Sequence, residues 1–101
     1  MQLARVIGSV VSTRKSDRLV GLKLLVAVPI DMDSMQEKGS PFITVDTVGA
    51  GEVEIIMWAG GSSSRQTDLT TSKPVDSAII GIVDYVDIGG QRVYDKGAWG
   101  K

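Results

Sequence analysis

Residues 53–59 make a short apolar run held between two glycine-rich loops. Val53, Ile55, Ile56, Met57, Trp58 and Ala59 are interrupted only by Glu54. The run is too short for a comfortable helix and rich in strand formers, which makes it a buried strand. Gly49 and Gly51 precede it; Gly60 and Gly61 follow it, and then Ser62, Ser63, Ser64 and Arg65. Such loops let backbone pass close to a ligand, another chain, or copies of itself around an axis. On composition alone, residues 60–65 read more plainly as a flexible surface loop.

The rest of the chain agrees with a β reading. Aromatic residues are 5% of the sequence against 43% hydrophobic overall, so the core must be aliphatic. Valine and isoleucine dominate it, and β-branched residues favour strands. The 101 residues suffice for one domain, 1–101, and no linker or repeat divides it. Residues 3–12 and 22–30 read as the first two strands. The third covers 42–48, the fourth 53–59 and the fifth 79–86. Gly89 and Gly90 mark a hairpin, with a short sixth strand at 91–95. Pro74 fits the first position of a short helix over 74–78. Gly81, inside the fifth strand, predicts a bend, a bulge or a close approach. Residues 96–101 read as a flexible tail. A small closed barrel accounts for this all-β pattern, because closure removes edges and gives about 100 residues one shared core.

The first two strands do not alternate cleanly. One parity of the first carries Ala4, Val6 and Val10; the other carries Leu3, Arg5, Ile7 and Val11. A sheet wet on one face alternates better than this, so both faces are expected to be covered. Self-association is the simplest cover for the second face.

Composition also narrows function. There is no cysteine and no histidine, which removes disulfides, thiolate metal sites and the commonest general base. Asp31 and Asp33 could open a calcium loop, but Met35, Gln36 and Phe42 occupy positions the pattern needs for other residues, so no metal site is assigned. Asp46, Asp84 and Asp87 are scattered without a supporting motif and read as strand-end or turn-capping carboxylates rather than catalysts. With a net charge of −1 there is no basic field for nucleic acid or an anionic membrane. The first residues carry neither a signal peptide nor a span of the ~20 apolar residues a membrane helix needs, so the expected location is the cytoplasm.

Several stretches, taken in order, carry a more specific signal. They are the opening strand, ending Gly8, Ser9, Val10, Val11, Ser12, Thr13; Gly49, Ala50, Gly51, Glu52 with Glu54; Gly61 to Arg65; and Lys73, Pro74, Val75, Asp76 followed by Gly81, Ile82, Val83, Asp84. Together they resemble the pentameric vertex proteins of bacterial microcompartments, the EutN/CcmL family, over roughly residues 1–87. The chain departs from that pattern at Val53, where the family usually has glycine, and at Ser64, where it usually has alanine.

The resemblance implies an OB-like five-stranded barrel assembled as a ring of five. The implied role is structural: the ring closes the vertices of a polyhedral shell whose flat faces are hexameric tiles. No enzymatic activity and no cofactor are implied. In that setting Gly61, Ser62, Ser63 and Ser64 are expected to line an axial opening. Gly49, Ala50, Gly51, Glu52 and Glu54 are expected to meet neighbouring shell tiles, and Arg5, Ile7 and Arg65 to lie between subunits. The alternative is an OB-type oligonucleotide-binding module, which would need a basic groove and exposed aromatics.

Overall fold

The computed structural model describes residues 1–12, 21–61 and 76–99, with side chains as far as Gly97. Seven strands and one helical turn follow in order: β1 (Gln2–Val10), β2 (Lys23–Pro29), β3 (Phe42–Asp46), β4 (Ile55–Gly60), β5 (Ser77–Ile82), β6 (Tyr85–Ile88), β7 (Gln91–Asp95) and α1 (Lys96–Trp99). The first five close into a barrel in the order β1-β2-β3-β5-β4, and β4 returns to pair with β1. All neighbours in the barrel are antiparallel except β3 and β5. β6 and β7 form a separate antiparallel hairpin. The expected small five-stranded barrel with a C-terminal hairpin is therefore present.

Two packed clusters lie on opposite sides of the barrel wall. Inside are Ala4, Val6, Leu25, Ala27, Ala50, Ile56 and Ile79, with Phe42, Trp58 and Ile82 against them. Outside are Leu3, Ile30, Met35, Ile55, Val83 and Tyr94, joined by Met57, Val86 and Val93. Successive strand residues point to opposite faces. Hence Ile55 and Ile56, adjacent in β4 and both essentially inaccessible, belong to different clusters. Burying each contributes about 1.5–3 kcal/mol.

This arrangement corrects the reason given for the two-sided strands. Leu3 of β1 and Ile55 and Met57 of β4 are covered by the chain's own hairpin and by residues 30–35, with no neighbour required. Ile7, Val11 and Ile43 remain exposed. Those residues supply apolar surface for a partner.

Two further expectations change. The helix over 74–78 is not formed at its described end, because Ser77 and Ala78 begin β5. They pair with Gly60 and Ala59 of β4, and Ala78 also meets Val45 of β3. The Ser77 hydroxyl donates to Thr44 Oγ1 at 2.9 Å within the wall. A helix there would leave the gap between β3 and β4 unfilled, so sheet pairing overrides the local proline signal. Residues 74 and 75 lie outside the described residues. The tail expected from residue 96 instead starts with the helical turn α1.

The expected fifth strand is split where the chain leaves the barrel at Val83 and Asp84. At Gly81 the close approach is present: a Cβ there would sit 2.5 Å from Met57 Cε. The β4–β5 register slips beside it, between Met57 and Trp58.

Candidate functional site

The loop from Thr47 to Glu54 joins β3 to β4 and is built largely by two carboxylates. Asp46 ends β3 with its side chain 2% exposed. Its Oδ1 accepts the backbone N–H groups of Val48, Gly49 and Ala50 at 3.0, 2.9 and 3.1 Å. Three donors converging on one oxygen fix the turn, the usual work of an Asp that caps its own loop. Lys23 Nζ lies 3.8 Å from the other oxygen. The turn-capping role expected for Asp46 is thus observed. Gly49 sits at φ +83, a region that favours glycine. The Thr47 hydroxyl donates to the Ile79 carbonyl at 2.5 Å and ties the loop to β5.

Glu54 closes the other end. Its Oε1 accepts the Gly51 N–H at 2.5 Å, and its Oε2 accepts from the Lys96 ammonium of α1. The Glu54 carboxyl is held below its ordinary value, first by the Lys96 hydrogen bond and then by the Gly51 N–H, with burial opposing. The same pairing raises Lys96. A charge-assisted contact therefore joins the loop to the C-terminal turn.

Between these anchors stands Val53, at φ +62 and 61% exposed. A β-branched residue is an outlier in the left-handed region and costs roughly 1–2 kcal/mol there. Backbone bonds hold it in place. Val53 N–H donates to the Val6 carbonyl at 2.8 Å, and Val6 N–H donates to the Glu54 carbonyl at 3.0 Å. The surroundings over-determine the conformation, which is how such strain persists. Beside the loop, Arg5, Met35, Gln36, Val53, Ile55 and Tyr94 line a recess of about 510 Å³.

The residues expected at a shell edge divide in two. Gly49, Gly51 and Glu52 are exposed on the loop surface, as is the neighbouring Val53, which was not among them. Ala50 is 1% exposed and packs into the barrel core, so its side chain is not available to a neighbour. Glu54 faces inward to Gly51 and Lys96 and acts as the loop's brace. Of the residues expected between subunits, Ile7 is 44% exposed, while Arg5 Nη1 donates to Glu37 Oε2 at 3.2 Å. Gly61, expected at the axial opening, is exposed and donates its N–H to the Asp76 carbonyl at 3.0 Å. Ser62, Ser63, Ser64 and Arg65 lie outside the described residues. Lys96 was not anticipated, and 42 positions separate it from Glu54 without a pattern that links them.

The family described as ethanolamine utilisation protein EutN/carboxysome matches residues 1–84. The chain belongs to the EutN/CcmL family. It is 45% identical over 87 residues to the bacterial microcompartment shell vertex protein GrpN of Rhodospirillum rubrum, covering 86% of this chain and 97% of that one. The solved structure of Gloeobacter violaceus CcmL superposes with a TM-score of 0.91 at 37% identity, over 96% of this chain and 99% of that one. The solved GrpN, described as a pentameric microcompartment shell protein, superposes with a TM-score of 0.79 at 44% identity, over 87% and 99% of the two chains.

Proposed function

We propose that this chain is a structural vertex protein of a cytoplasmic bacterial microcompartment. Five copies close a ring, joined head to tail, and the ring fills a five-fold corner of the shell. Hexameric shell tiles dock around it, and the chain carries out no catalysis. The observation that carries this reading is the likeness to GrpN over 86% of this chain and 97% of that one, GrpN being named both as a shell vertex protein and as a pentamer. The exposed Ile7 and Ile43 supply apolar surface for a subunit contact. Native mass spectrometry tests it: five chains of 10.7 kDa per particle are expected. A stable monomer at micromolar concentration overturns it.

The loop over 49–54 is the proposed tile contact, through Gly49, Gly51, Glu52 and Val53. A Gly51→Asp variant separates edge docking from folding. Pentamers that no longer join shells are expected; failure to fold places the residue in the loop's own construction instead.

The oligonucleotide-binding alternative finds no favouring observation. Phe42 and Trp58 meet in a tilted arrangement, ring centroids 4.5 Å apart and planes at 44°, and pack against the barrel core. Tyr94 is buried, and Tyr85 carries Arg92 over its ring at 4.1 Å. Phe42, Trp58 and Tyr94 are engaged in packing rather than offered as a stacking platform for bases, and Tyr85 is covered on one face by Arg92.

A further inference from the structure

The loop over 47–54 is built in two halves, and the halves are held from different parts of the chain. Asp46, at the end of β3, gathers the N–H groups of Val48, Gly49 and Ala50. Gly51 is not among them and is held by Glu54 instead. Its N–H donates to Glu54 Oε1, and the Glu54 N–H donates back to the Gly51 carbonyl at 3.3 Å. The fit is close, since a Cβ on Gly51 would lie 3.4 Å from that same Oε1. Beyond Gly51 the tip is bare. Glu52 is exposed, and its carboxylate forms no ion pair among the described residues.

Glu54 holds Gly51 only while its carboxylate keeps its orientation. The two oxygens of a carboxylate form one planar unit, so whatever fixes Oε2 also fixes Oε1. Oε2 is fixed by the Lys96 ammonium of α1. The Glu54 side chain is 19% exposed. A carboxylate with so little access to water is costly without its counter-charge. On losing Lys96 it would swing toward solvent and release the Gly51 N–H.

Lys96 in its turn is set by the hairpin and not by the loop. Its N–H donates to the Asp84 carbonyl at the hairpin base. Asp95 Oδ1 accepts the Gly97 N–H at 3.0 Å and so caps the turn on which Lys96 stands. The other oxygen of Asp95 lies 3.6 Å from Arg92 Nη1 of β7. Val93 and Tyr94, just before, pack in the outer cluster. A continuous set of contacts thus runs from β7 through Lys96 and Glu54 to the exposed tip at Gly51 and Glu52.

We propose that Lys96 is a positioning residue for the tile contact. Through Glu54, the C-terminal turn holds Gly51 and Glu52 in the shape that a neighbouring tile meets, and loss of the Lys96 ammonium disables that edge without opening the ring. This inference rests on the reading of the 49–54 loop as the edge that docks hexameric tiles.

The test uses the full chain in its native ring. Lys96→Met removes the ammonium and keeps an unbranched stem; Lys96→Arg keeps a cation. In Lys96→Met the Gly51 amide should exchange with solvent about tenfold faster by NMR, while the Val48, Gly49 and Ala50 amides held by Asp46 keep their wild-type rates. Native mass spectrometry should still show the intact ring. Mixed with hexameric shell tiles from the same bacterium, the variant should bind them up to about tenfold more weakly, since only loops in the competent shape dock. Lys96→Arg should restore both readouts. The coupling is overturned if Gly51 exchange is unchanged, if all four amides speed up together as general destabilisation would make them, or if Lys96→Arg behaves like Lys96→Met. The role in docking is overturned if Gly51 speeds up while the variant binds tiles as the wild type does. Wild-type rings that bind no tiles are a separate result: they overturn the edge reading, and with it the part of Lys96 in docking, whatever Gly51 does.

Discussion

The barrel interior and the outer cluster are both apolar, yet they are held together in different ways. The interior mixes the small Ala4, Ala27 and Ala50 with the larger Leu25, Ile56 and Ile79 and is enclosed by the strand ladders of the barrel. The outer cluster has one rigid wall, formed by β1 and β4, and is otherwise covered by a hairpin and a loop. The hairpin is joined at its base to the barrel and to the 47–54 loop. Val83 N–H reaches the Ile55 carbonyl at 2.8 Å and the Lys96 ammonium reaches Glu54, while Lys96 N–H donates to the Asp84 carbonyl at 2.8 Å within the hairpin's own base. Equal burial therefore does not mean equal stiffness. A region with few tethers opens locally at lower free energy than one inside a closed ladder.

The adjacent pair Ile55 and Ile56 is the sharpest probe of that difference. Ile56→Ala should cost about 4 kcal/mol, because a closed wall cannot collapse onto the space left behind. Ile55→Ala should cost about 2 kcal/mol, because Met35 and Met57 can move into the gap. Denaturant unfolding of the two variants measures both. Equal costs, or a larger cost at Ile55, would show that the hairpin packs as rigidly as the barrel.

A smaller effect tests the tether itself. Glu54→Gln keeps an acceptor for Gly51 but removes the charge facing Lys96, and should cost about 1 kcal/mol. The wild type should also show a matching pH dependence. Glu54 is held below its ordinary carboxyl value, so the unfolded chain takes up this proton first as pH falls. Its contribution is complete above the ordinary carboxylate range and is lost as pH drops through the lowered folded value. The variant should lose that part of the acid slope. An unchanged slope would mean that the Lys96 contact does not brace the loop in solution.

How much of this was legible in the sequence follows from the range of each interaction. The run at 53–59 read as a strand because its composition and its flanking glycines are local, and β4 forms there from Ile55, while Val53 and Glu54 belong to the loop before it. The hairpin at Gly89 and Gly90 was legible for the same reason. The stretch at 74–78 misled, since proline's preference is local while the pairing of Ser77 and Ala78 with β3 and β4 is not. The mixed parities of β1 pointed to a second covered face, which is covered at Leu3 and open at Ile7 and Val11. Sequence could not say that part of the cover was intramolecular, because no pattern in 83–94 points back to Leu3 or Ile55. In the loop, Asp46 was legible as a turn cap, its partners being two to four residues away. Glu54 was placed at the edge by resemblance, but its partner Lys96 comes from the far end of the fold.

The smallest predicted effect has the opposite sign. Val53 keeps a backbone conformation that glycine adopts freely. The cost of that conformation for a β-branched residue is roughly 1–2 kcal/mol. Glycine would remove it but would also make the unfolded chain more flexible, an opposing cost of about 0.4–1 kcal/mol. With 61% of Val53 exposed, little packing would be lost in the exchange. Val53→Gly should therefore stabilise the protein by about 0.5 kcal/mol, read as a small rise in the unfolding midpoint. The gain should survive in the Glu54→Gln background, because the two backbone bonds to Val6 hold residue 53 whether or not Lys96 is engaged. A loss of stability instead would show that the valine side chain makes a contact worth more than its strain. The recess beside Arg5, Met35 and Tyr94 is where that contact would lie.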